Sequence, residues 1–188
     1  MRHFEFRSGA LSLDLADTVA DRDGVDVELL GTPEDVGHWA TASGKLPFMS
    51  GVDVSEGELE TLRVLREDIY TAASSVVADG DAKPLEARVI NDAAARRPAR
   101  AVLTAGGMDL VADDPVAAMF AAIATDAIGL LGSDRRHRLR RCQECRMLFF
   151  DASPPGKRLW CSSSSGCGNR AKIRRHRESM KKPKDHPC

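Results

Sequence analysis

Four cysteines near the end of the chain have the residue type and the spacing of a metal site. Cys142 and Cys145 form a C-x-x-C pair, and after fifteen residues Cys161 and Cys167 form a C-x5-C pair. Two thiolates on one tight turn hold a soft cation from the same side, and a second pair completes a tetrahedron. Four protein ligands leave no open position, so the metal stabilises structure and does not activate water. The spacing predicts a structural Zn²⁺ site in a protein that is not an enzyme.

The cysteines have two other interpretations, a redox pair or reduced thiols that lie together by chance. A doubled pair at ribbon-like spacing favours zinc over both. His176 is a rival ligand, since it follows Cys167 on the same predicted helix. Nine residues separate the two, which is about 13 Å of helix rise and too far for both to bind one ion. We therefore expect His176 on the inner face of that helix, with Ile173 and Met180.

The net charge of −1 hides a strong asymmetry along the chain. Residues 135–188 contain 16 Lys/Arg and four Asp/Glu, for a net charge of +12. Residues 1–134 contain the other 11 Lys/Arg and 24 Asp/Glu, for a net charge of −13. A polyanion would be attracted by the first segment and repelled by the second. The charges predict nucleic-acid binding by the C-terminal segment and a domain boundary near Ser133.

Most candidate nucleic-acid contacts lie on the helix predicted to begin near Cys167. Arg170, Arg174 and Arg177 share one helix face, where arginine can bind phosphates or guanine edges in a bidentate manner. Asn169 fits two roles, an N-cap, which its residue type favours, or an adenine contact. The full set of predicted contacts is Arg141, Arg158, Asn169, Arg170, Lys172, Arg174, Arg175 and Arg177.

The composition is that of a folded protein without a membrane partner. A hydrophobic content of 43% is normal for a globular chain. There is no run of about eighteen apolar residues, and residues 1–5 do not resemble a signal peptide. We therefore expect a cytoplasmic protein, in which clustered thiols stay reduced and bind metal more often than they form disulfides. Cys188 is expected to be a free thiol.

Residues 1–133 are predicted to form a mostly helical domain. Ser55 and Glu58 form a capping box, and apolar residues then recur every three or four positions, which predicts a helix over residues 56–78. Phe4 and Phe6 alternate with polar residues and suggest a short strand, whereas residues 11–19 fit a strand or a helix. Further elements are predicted after Thr32-Pro33 (helix), over 84–97 (helix), over 101–104 with 108–111 (β-hairpin) and after Asp114-Pro115 (helix).

Residues 134–182 are predicted to form a small module, with residues 183–188 as a flexible tail. Residues 139–145 and 147–151 suggest a hairpin that carries the C-x-x-C turn, and a helix from Cys167 delivers the last ligand. Trp160, beside a ligand, is expected to pack in the module rather than stack on a base. So small a module buries little apolar area, and zinc binding would offset its ordering entropy. The predicted class is mainly α (α+β), ending in a treble-clef or ribbon-like zinc finger.

The C-terminal motifs resemble those of the CGNR zinc finger. They are Arg141-Cys142, Cys145, Phe149-x-Asp151-x-Ser153, Trp160-Cys161 and Cys167-Gly168-Asn169-Arg170-Ala171-Lys172. That finger usually follows a domain called ABATE, in a family described as stress-induced transcription regulators. Upstream, residues 13–18 (Leu-Asp-Leu-Ala-Asp-Thr) are similar to the opening Leu-Asp-Phe-x-Asn-Thr of that domain. The resemblance implies that the four cysteines are zinc ligands.

Two departures from the family pattern are visible. The spacing from Cys161 to Cys167 is one residue longer, with Gly166 as the insertion. Glycine adopts backbone conformations that other residues avoid, so the insertion should cost little. Asp17 stands where asparagine is usual, which leaves the polar role of that side chain open.

The acidic domain gives few indications of function. The carboxylates Asp21, Asp23 and Asp26 surround a glycine, but its position and the missing distal glutamate do not fit a calcium loop. We expect a solvated turn there. Asp14 and Asp17 either line a pocket or lie on a plain helix face, and the pattern favours the helix face.

These observations predict a DNA-binding transcription regulator, with residues 1–133 as a hypothetical sensor of a small ligand or a protein. An RNA-binding protein is one alternative. The other is a protein-interaction module that docks on an acidic partner or on its own acidic domain. No heptad pattern requires dimerisation, and a homodimer is left open.

Overall fold

A computed structural model describes residues 3–22, 24–81, 84–162 and 166–181, without the side chains of 84–86 and 181. Within these residues the chain forms six α-helices and three two-stranded antiparallel sheets. The mainly α class with a small cysteine-rich end is thus confirmed. The predictions for Asp23, the tail 183–188 and Cys188 fall outside the described residues.

The elements follow the chain in a simple order. They are α1 (Leu11–Ala16), β1 (Val19–Ala20), β2 (Val27–Glu28), α2 (Pro33–Ala42), α3 (Glu56–Asp79), α4 (Pro84–Ala94), β3 (Arg100–Thr104), β4 (Gly107–Val111), α5 (Pro115–Leu131), β5 (Leu139–Arg141), β6 (Leu148–Phe150) and α6 (Cys167–Lys181). Two 3-10 helices, Pro47–Met49 and Asp134–Arg138, precede α3 and β5. Each sheet pairs consecutive strands, so the chain makes no crossovers within them.

Helix α3 is the centre of the molecule, and it spans Glu56–Asp79 where the sequence predicts residues 56–78. At its start, Ser55 N donates to Glu58 Oε2 (2.7 Å) and Glu58 N donates to Ser55 Oγ (3.3 Å), which confirms the capping box. It ends at Gly80, whose φ of +90° is the left-handed conformation that glycine adopts readily. Its buried stripe packs against α1, α2, α4 and α5. The large buried side chains of this core include Trp39, Leu59, Leu62, Leu65, Ile69 and Phe120.

Two predictions near the N-terminus need correction. Residues 4–6 form no strand in the described structure; instead Phe4 and Phe6 pack against the core, and Phe6 lies 6.5 Å from the Trp39 ring. This segment is held by the partial burial of the two rings in the helical core, and not by pairing with any described strand. Residues 11–19, which fit either element, form helix α1 and the start of β1.

Helix α1 is short but buried over its whole length. Its first turn is held by α5, because Ser12 donates to Asp126 Oδ2 from both its backbone N (2.8 Å) and its Oγ (2.6 Å). Asp14, also buried, accepts from Ser8 Oγ (2.6 Å) and from Lys45 Nζ (2.8 Å). The bond from Ser8 to Asp14 attaches the end of the N-terminal arm, residues 3–10, to the helical core.

A second apolar cluster joins the C-terminal hairpin to the helices. Leu139 and Leu148, from β5 and β6, pack with Leu13 of α1 and with residues of α3 and α5. The arm adds a backbone bond, from Phe150 N to Ser8 O (2.7 Å). Among the described helices, none has both the length and the apolar character that a membrane crossing requires.

Candidate metal centre and nucleic-acid interface

The first two cysteines are presented by the tight turn of the β5–β6 hairpin. Arg141 pairs with Leu148, and just beyond, Cys142 N donates to Met147 O (2.9 Å). Arg146 N donates back to Cys142 O (3.1 Å), with Arg146 in the left-handed region at φ +62°. This turn reverses the chain within four residues, so Cys142 and Cys145 lie on one side of it. The C-x-x-C turn therefore has the predicted hairpin setting.

The four cysteine sulfurs converge on one point. All lie within 4.8 Å of one another, with Sγ–Sγ distances of 3.6 Å for Cys145–Cys161 and 3.8 Å for Cys161–Cys167. A zinc ion at about 2.3 Å from four sulfurs places them about 3.8 Å apart. The donor set and its spacing thus fit tetrahedral Zn²⁺, in a region where Cys142, Cys161 and Cys167 are buried.

Sulfurs this close cannot all ionise without a cation. Hydrogen bonding with Cys145 and Cys161 lowers the pKa of Cys142, whereas hydrogen bonding with Cys142 raises the pKa of Cys145. One thiolate is therefore stabilised by thiols that must stay protonated. A divalent cation removes this conflict, because it offsets the repulsion between four thiolates.

The loop that returns the chain to Cys161 is organised by Asp151, which is buried. Its carboxylate accepts from Ser153 Oγ (2.6 Å), Ser153 N (3.0 Å) and Arg158 N (2.9 Å). Burial raises the pKa of Asp151, but these hydrogen bonds outweigh it and lower the pKa to about 2. The carboxylate stays ionised at neutral pH and fixes the path to the third ligand.

The fourth ligand opens helix α6, as predicted. Gly166, just before it, has φ +65° and accepts from Arg170 N (3.0 Å), so it caps the first turn. The inserted glycine therefore occupies a position that favours glycine. Asn169 lies inside the helix and is exposed, so its predicted N-cap role is wrong.

The interior of the module consists of the metal site and a few apolar side chains. Met147 and Phe149 pack with the buried cysteines, and Trp160 covers them, which confirms that this tryptophan packs in the module. Helix α6 buries only Cys167 and Ala171 among its described side chains. The predicted inner face of His176, Ile173 and Met180 is wrong, since all three are exposed. No element packs on that part of α6 in the described structure.

Three of the predicted contact residues on α6 already contact other side chains of the finger, and the others are exposed to solvent. Arg174 forms a bidentate pair with Glu144 (2.6 and 2.9 Å), and Arg170 donates to Cys167 Sγ (3.4 Å). Arg175 lies 5.0 Å from the Trp160 ring. Lys172 and Arg177 are exposed on the same helix.

The two candidates outside α6 help to hold the module together. Arg158 donates to Trp160 O (3.3 Å) and Ser162 Oγ, and its guanidinium lies 5.0 Å from the Phe149 ring. Arg141, on β5, is half-buried. Whether any of the eight predicted residues contacts nucleic acid stays a prediction.

A cavity of about 520 Å³ lies between the helical domain and the cysteine module. Asp17 lines it, at the C-cap of α1, so the helix-face interpretation of this residue is wrong. Asp14 faces inward instead, where Ser8 and Lys45 bind it. Sequence reasoning offered a pocket as the less favoured choice, because the spacing of two carboxylates on a short helix does not reveal which side is covered. Desolvation raises the pKa of Asp17 well above its ordinary value, and the charge of Asp14 adds to that effect.

Comparison with known proteins assigns both parts of the chain. The model of the ABATE family, described as "Putative stress-induced transcription regulator", matches residues 9–134. The model of the CGNR zinc finger matches residues 138–179. No curated protein matches the chain. With the converging sulfurs, the second match identifies Cys142, Cys145, Cys161 and Cys167 as the ligands of a structural zinc ion.

Proposed function

The chain belongs to the ABATE family and ends in a CGNR zinc finger, and we propose that it is a DNA-binding transcription regulator whose finger binds duplex DNA. The observation that carries the proposal is helix α6, which starts at a zinc ligand and exposes a run of basic side chains. Residues 172–180 are all exposed and include Lys172, Arg174, Arg175 and Arg177.

The shape of α6 favours DNA over RNA. Its 15 residues span about 22 Å, and an α-helix fits the major groove of B-DNA, which is about 12 Å wide. The major groove of an RNA duplex is too narrow for side chains to read. Arg174 is oriented by Glu144, and Arg175 by Trp160, so part of the basic surface is already ordered before DNA arrives.

The other parts of the proposal concern the role of the metal, the location of the protein and the role of the helical domain. Four thiolates fill the coordination sphere of zinc, which supports a structural and non-catalytic metal. A site that needs four reduced cysteines supports a cytoplasmic location. The helical domain, which contacts the finger through Leu139 and Leu148, is proposed to sense a ligand or a partner and to alter how α6 is presented.

The proposal is tested by titrating the zinc-loaded full chain with duplex DNA across a salt series. We expect affinity to fall steeply with salt, with a slope of about 0.9 per neutralised phosphate. The variant Lys172→Ala/Arg177→Ala should bind more weakly and lower that slope by about 0.9 for each lost phosphate contact. The matched control is Arg88→Ala, which removes an exposed arginine from α4.

Three outcomes would contradict the proposal. The first is equal loss of affinity in Arg88→Ala and the double variant. The second is preferential binding of a structured RNA competitor at the same salt, which would favour the RNA-binding alternative. The third is binding of neither polymer, which would favour a protein-interaction module.

A further inference from the structure

The cavity between the helical domain and the finger has the size and the lining of a small-molecule site. Its volume of about 520 Å³ lies within the range of about 300–1,000 Å³ that is usual for ligand pockets. Its apolar lining includes Val19 of β1 and Leu29, just after β2, from the helical domain, and Met147 from the finger. A ligand here would touch both parts of the molecule.

One carboxylate oxygen in the lining, Asp17 Oδ2, is buried, and the described residues offer it no hydrogen bond. Leaving a buried polar atom unbonded is unfavourable, and native structures rarely do so without a reason. The high pKa of this carboxyl group has the same cause, since desolvation disfavours the charged form.

The two arginines that line the cavity donate hydrogen bonds to groups other than Asp17. Arg22 donates to both carboxylate oxygens of Glu67 (2.8 and 3.1 Å) and to Ala16 O (3.2 Å). Arg170 donates to Cys167 Sγ (3.4 Å). The charge of Arg22 lowers the pKa of Asp17, but desolvation and the charge of Asp14 outweigh it. Arg22 Nε is likewise buried, and the described residues offer it no hydrogen bond.

The electrostatic potential in the cavity favours a cation. Four thiolates around Zn²⁺ carry a net charge of about −2, and one of them, Cys145, lines the cavity. Glu5, on the arm, adds another carboxylate to the lining, with Arg7 Nε 3.6 Å from its Oε2. Asp14 lies close enough to raise the pKa of Asp17. An anion or a neutral molecule would gain less from these surroundings than an ammonium group.

We propose that this cavity binds a small, mainly apolar primary amine whose ammonium group donates to Asp17, bridging the helical domain and the zinc finger. Its hydrocarbon part lies among Val19, Leu29 and Met147. Arg170, in the first turn of α6, and Cys145, a zinc ligand, line the same cavity. Occupation would therefore stabilise the docking of the finger. Only the effect on DNA affinity depends on the proposed function.

The test uses the zinc-loaded full chain and phenethylamine as the probe, with phenethyl alcohol and 3-phenylpropionate as neutral and anionic counterparts. Binding is followed by calorimetry and by amide NMR shifts. We expect saturable amine binding, with shifts confined to residues 17–22, 145–147 and the start of α6. The alcohol should bind about 10- to 100-fold more weakly, since it lacks the charged hydrogen bond. The propionate should not bind.

The matched variants are Asp17→Asn, which keeps the shape of the side chain, and Asp109→Asn, which alters an exposed carboxylate of β4. The first should lose about 10- to 100-fold in amine affinity, and the second should lose none. Equal binding of amine and alcohol, or full amine binding by Asp17→Asn, would overturn the proposal. If Asp17→Asn fails to fold, the location of the NMR shifts in the unaltered protein decides.

DNA titrations with and without the probe separate this inference from the proposed function. Amine binding without any DNA binding would contradict the proposed function and support the amine site. DNA binding without amine binding would contradict the amine site and support the proposed function. If both hold, saturating amine should change the DNA affinity of the unaltered chain but not that of Asp17→Asn.

Discussion

At the scale of single residues, the cysteine sulfurs and one buried arginine illustrate two ways to hold charge. The sulfurs are held close together by their turns, so their charge demands a metal ion. Arg66 is buried in α3 and donates to both oxygens of Glu28 (2.7 Å each) and to Glu67 Oε1 (2.7 Å). The first set stabilises the finger only with zinc, whereas the second stabilises the helical domain without any ligand.

Removing one sulfur should release the metal and unfold the finger. In Cys145→Ser we expect zinc to fall from about one per chain to a small fraction, because one of its four ligands is lost. The finger should then unfold, because zinc binding contributes roughly 10–16 kcal/mol to folding in such peptides. The measurements are metal analysis and amide NMR dispersion of residues 139–181. Cys188→Ser, which alters the fifth cysteine, is the control and should keep both. Full zinc content in Cys145→Ser would show that this sulfur is not a ligand.

The Arg66–Glu28 pair predicts how stability depends on pH. Burial raises the pKa of Glu28, but hydrogen bonds from Arg66 and Leu30 N outweigh it, so the folded pKa lies below its ordinary value. The pair therefore stabilises the protein above the unfolded pKa of about 4.3, and this contribution is lost as the pH falls below that value. Glu28→Gln should be less stable by about 1 kcal/mol at pH 7, since the site is partly solvated.

This prediction is measured by urea unfolding from pH 3 to 7, followed by tryptophan fluorescence. A Trp160→Phe background is used, so that Trp39, in the helical domain, is the remaining tryptophan. The difference in the free energy of unfolding between that background and its Glu28→Gln variant should shrink as the pH approaches 3, because the glutamate is then increasingly protonated. The control Glu60→Gln alters an exposed carboxylate of α3. A difference that stays constant with pH would contradict the ion pair.

At the scale of elements, α3 and α6 are stabilised in opposite ways. Helix α3 has 24 residues, a capping box and a buried stripe along its length. Helix α6 begins at a zinc ligand, and beyond Ala171 its described side chains lie in solvent. Most helices in proteins depend on an apolar face that packs. The exposed helix is therefore stabilised chiefly at its zinc-bound end, and its surface is left available for a partner.

The cap of α3 can be tested by itself. Ser55→Ala removes the oxygen that accepts from Glu58 N, and we expect a loss of about 1 kcal/mol in the free energy of unfolding. Urea unfolding followed by circular dichroism measures it. Ser50→Ala, at an exposed serine ahead of the helix, should change stability by less than about 0.5 kcal/mol. Equal effects would mean that the cap contributes nothing specific.

At the scale of the whole molecule, the finger is packed on the helical domain rather than tethered to it. Leu139 and Leu148 are buried with side chains of α1, α3 and α5, and Phe150 bonds to the arm at Ser8. Arg136 adds an ion pair with Asp81 (3.4 Å). The boundary at residues 133/134 stays a prediction. The packed contacts nevertheless connect a structural change in the helical domain to the finger.

Leu148→Ala tests this packing. Leu148 is fully buried, so the truncation should lower the free energy of unfolding by about 2–5 kcal/mol. Hydrogen exchange should increase both in the β5–β6 hairpin and in α1, because the cluster includes both. The control Leu103→Ala removes a side chain that is 90% exposed and should have an effect below about 0.5 kcal/mol. Faster exchange in the hairpin alone would show that the two parts are not coupled.

Features that depend on neighbouring residues could be predicted from the order of the amino acids. The capping box and apolar period of α3 and the C-x-x-C turn involve contacts over a few positions. The same holds for the start of α5, where Ala117 N donates to Asp114 Oδ1 (3.0 Å). Residue type and spacing are sufficient to predict such features. The two cysteine pairs likewise predicted zinc, because the ligand chemistry is encoded in the residues themselves.

Which side of each element is covered depended instead on how the elements pack. Packing placed Asp17 in a cavity with Met147 and Arg170, which are more than a hundred positions away in the sequence. It also paired Arg174 with Glu144, and left Ile173 and Met180 in solvent. Such contacts join distant segments, and the periodicity of one helix carries no information about what lies opposite it.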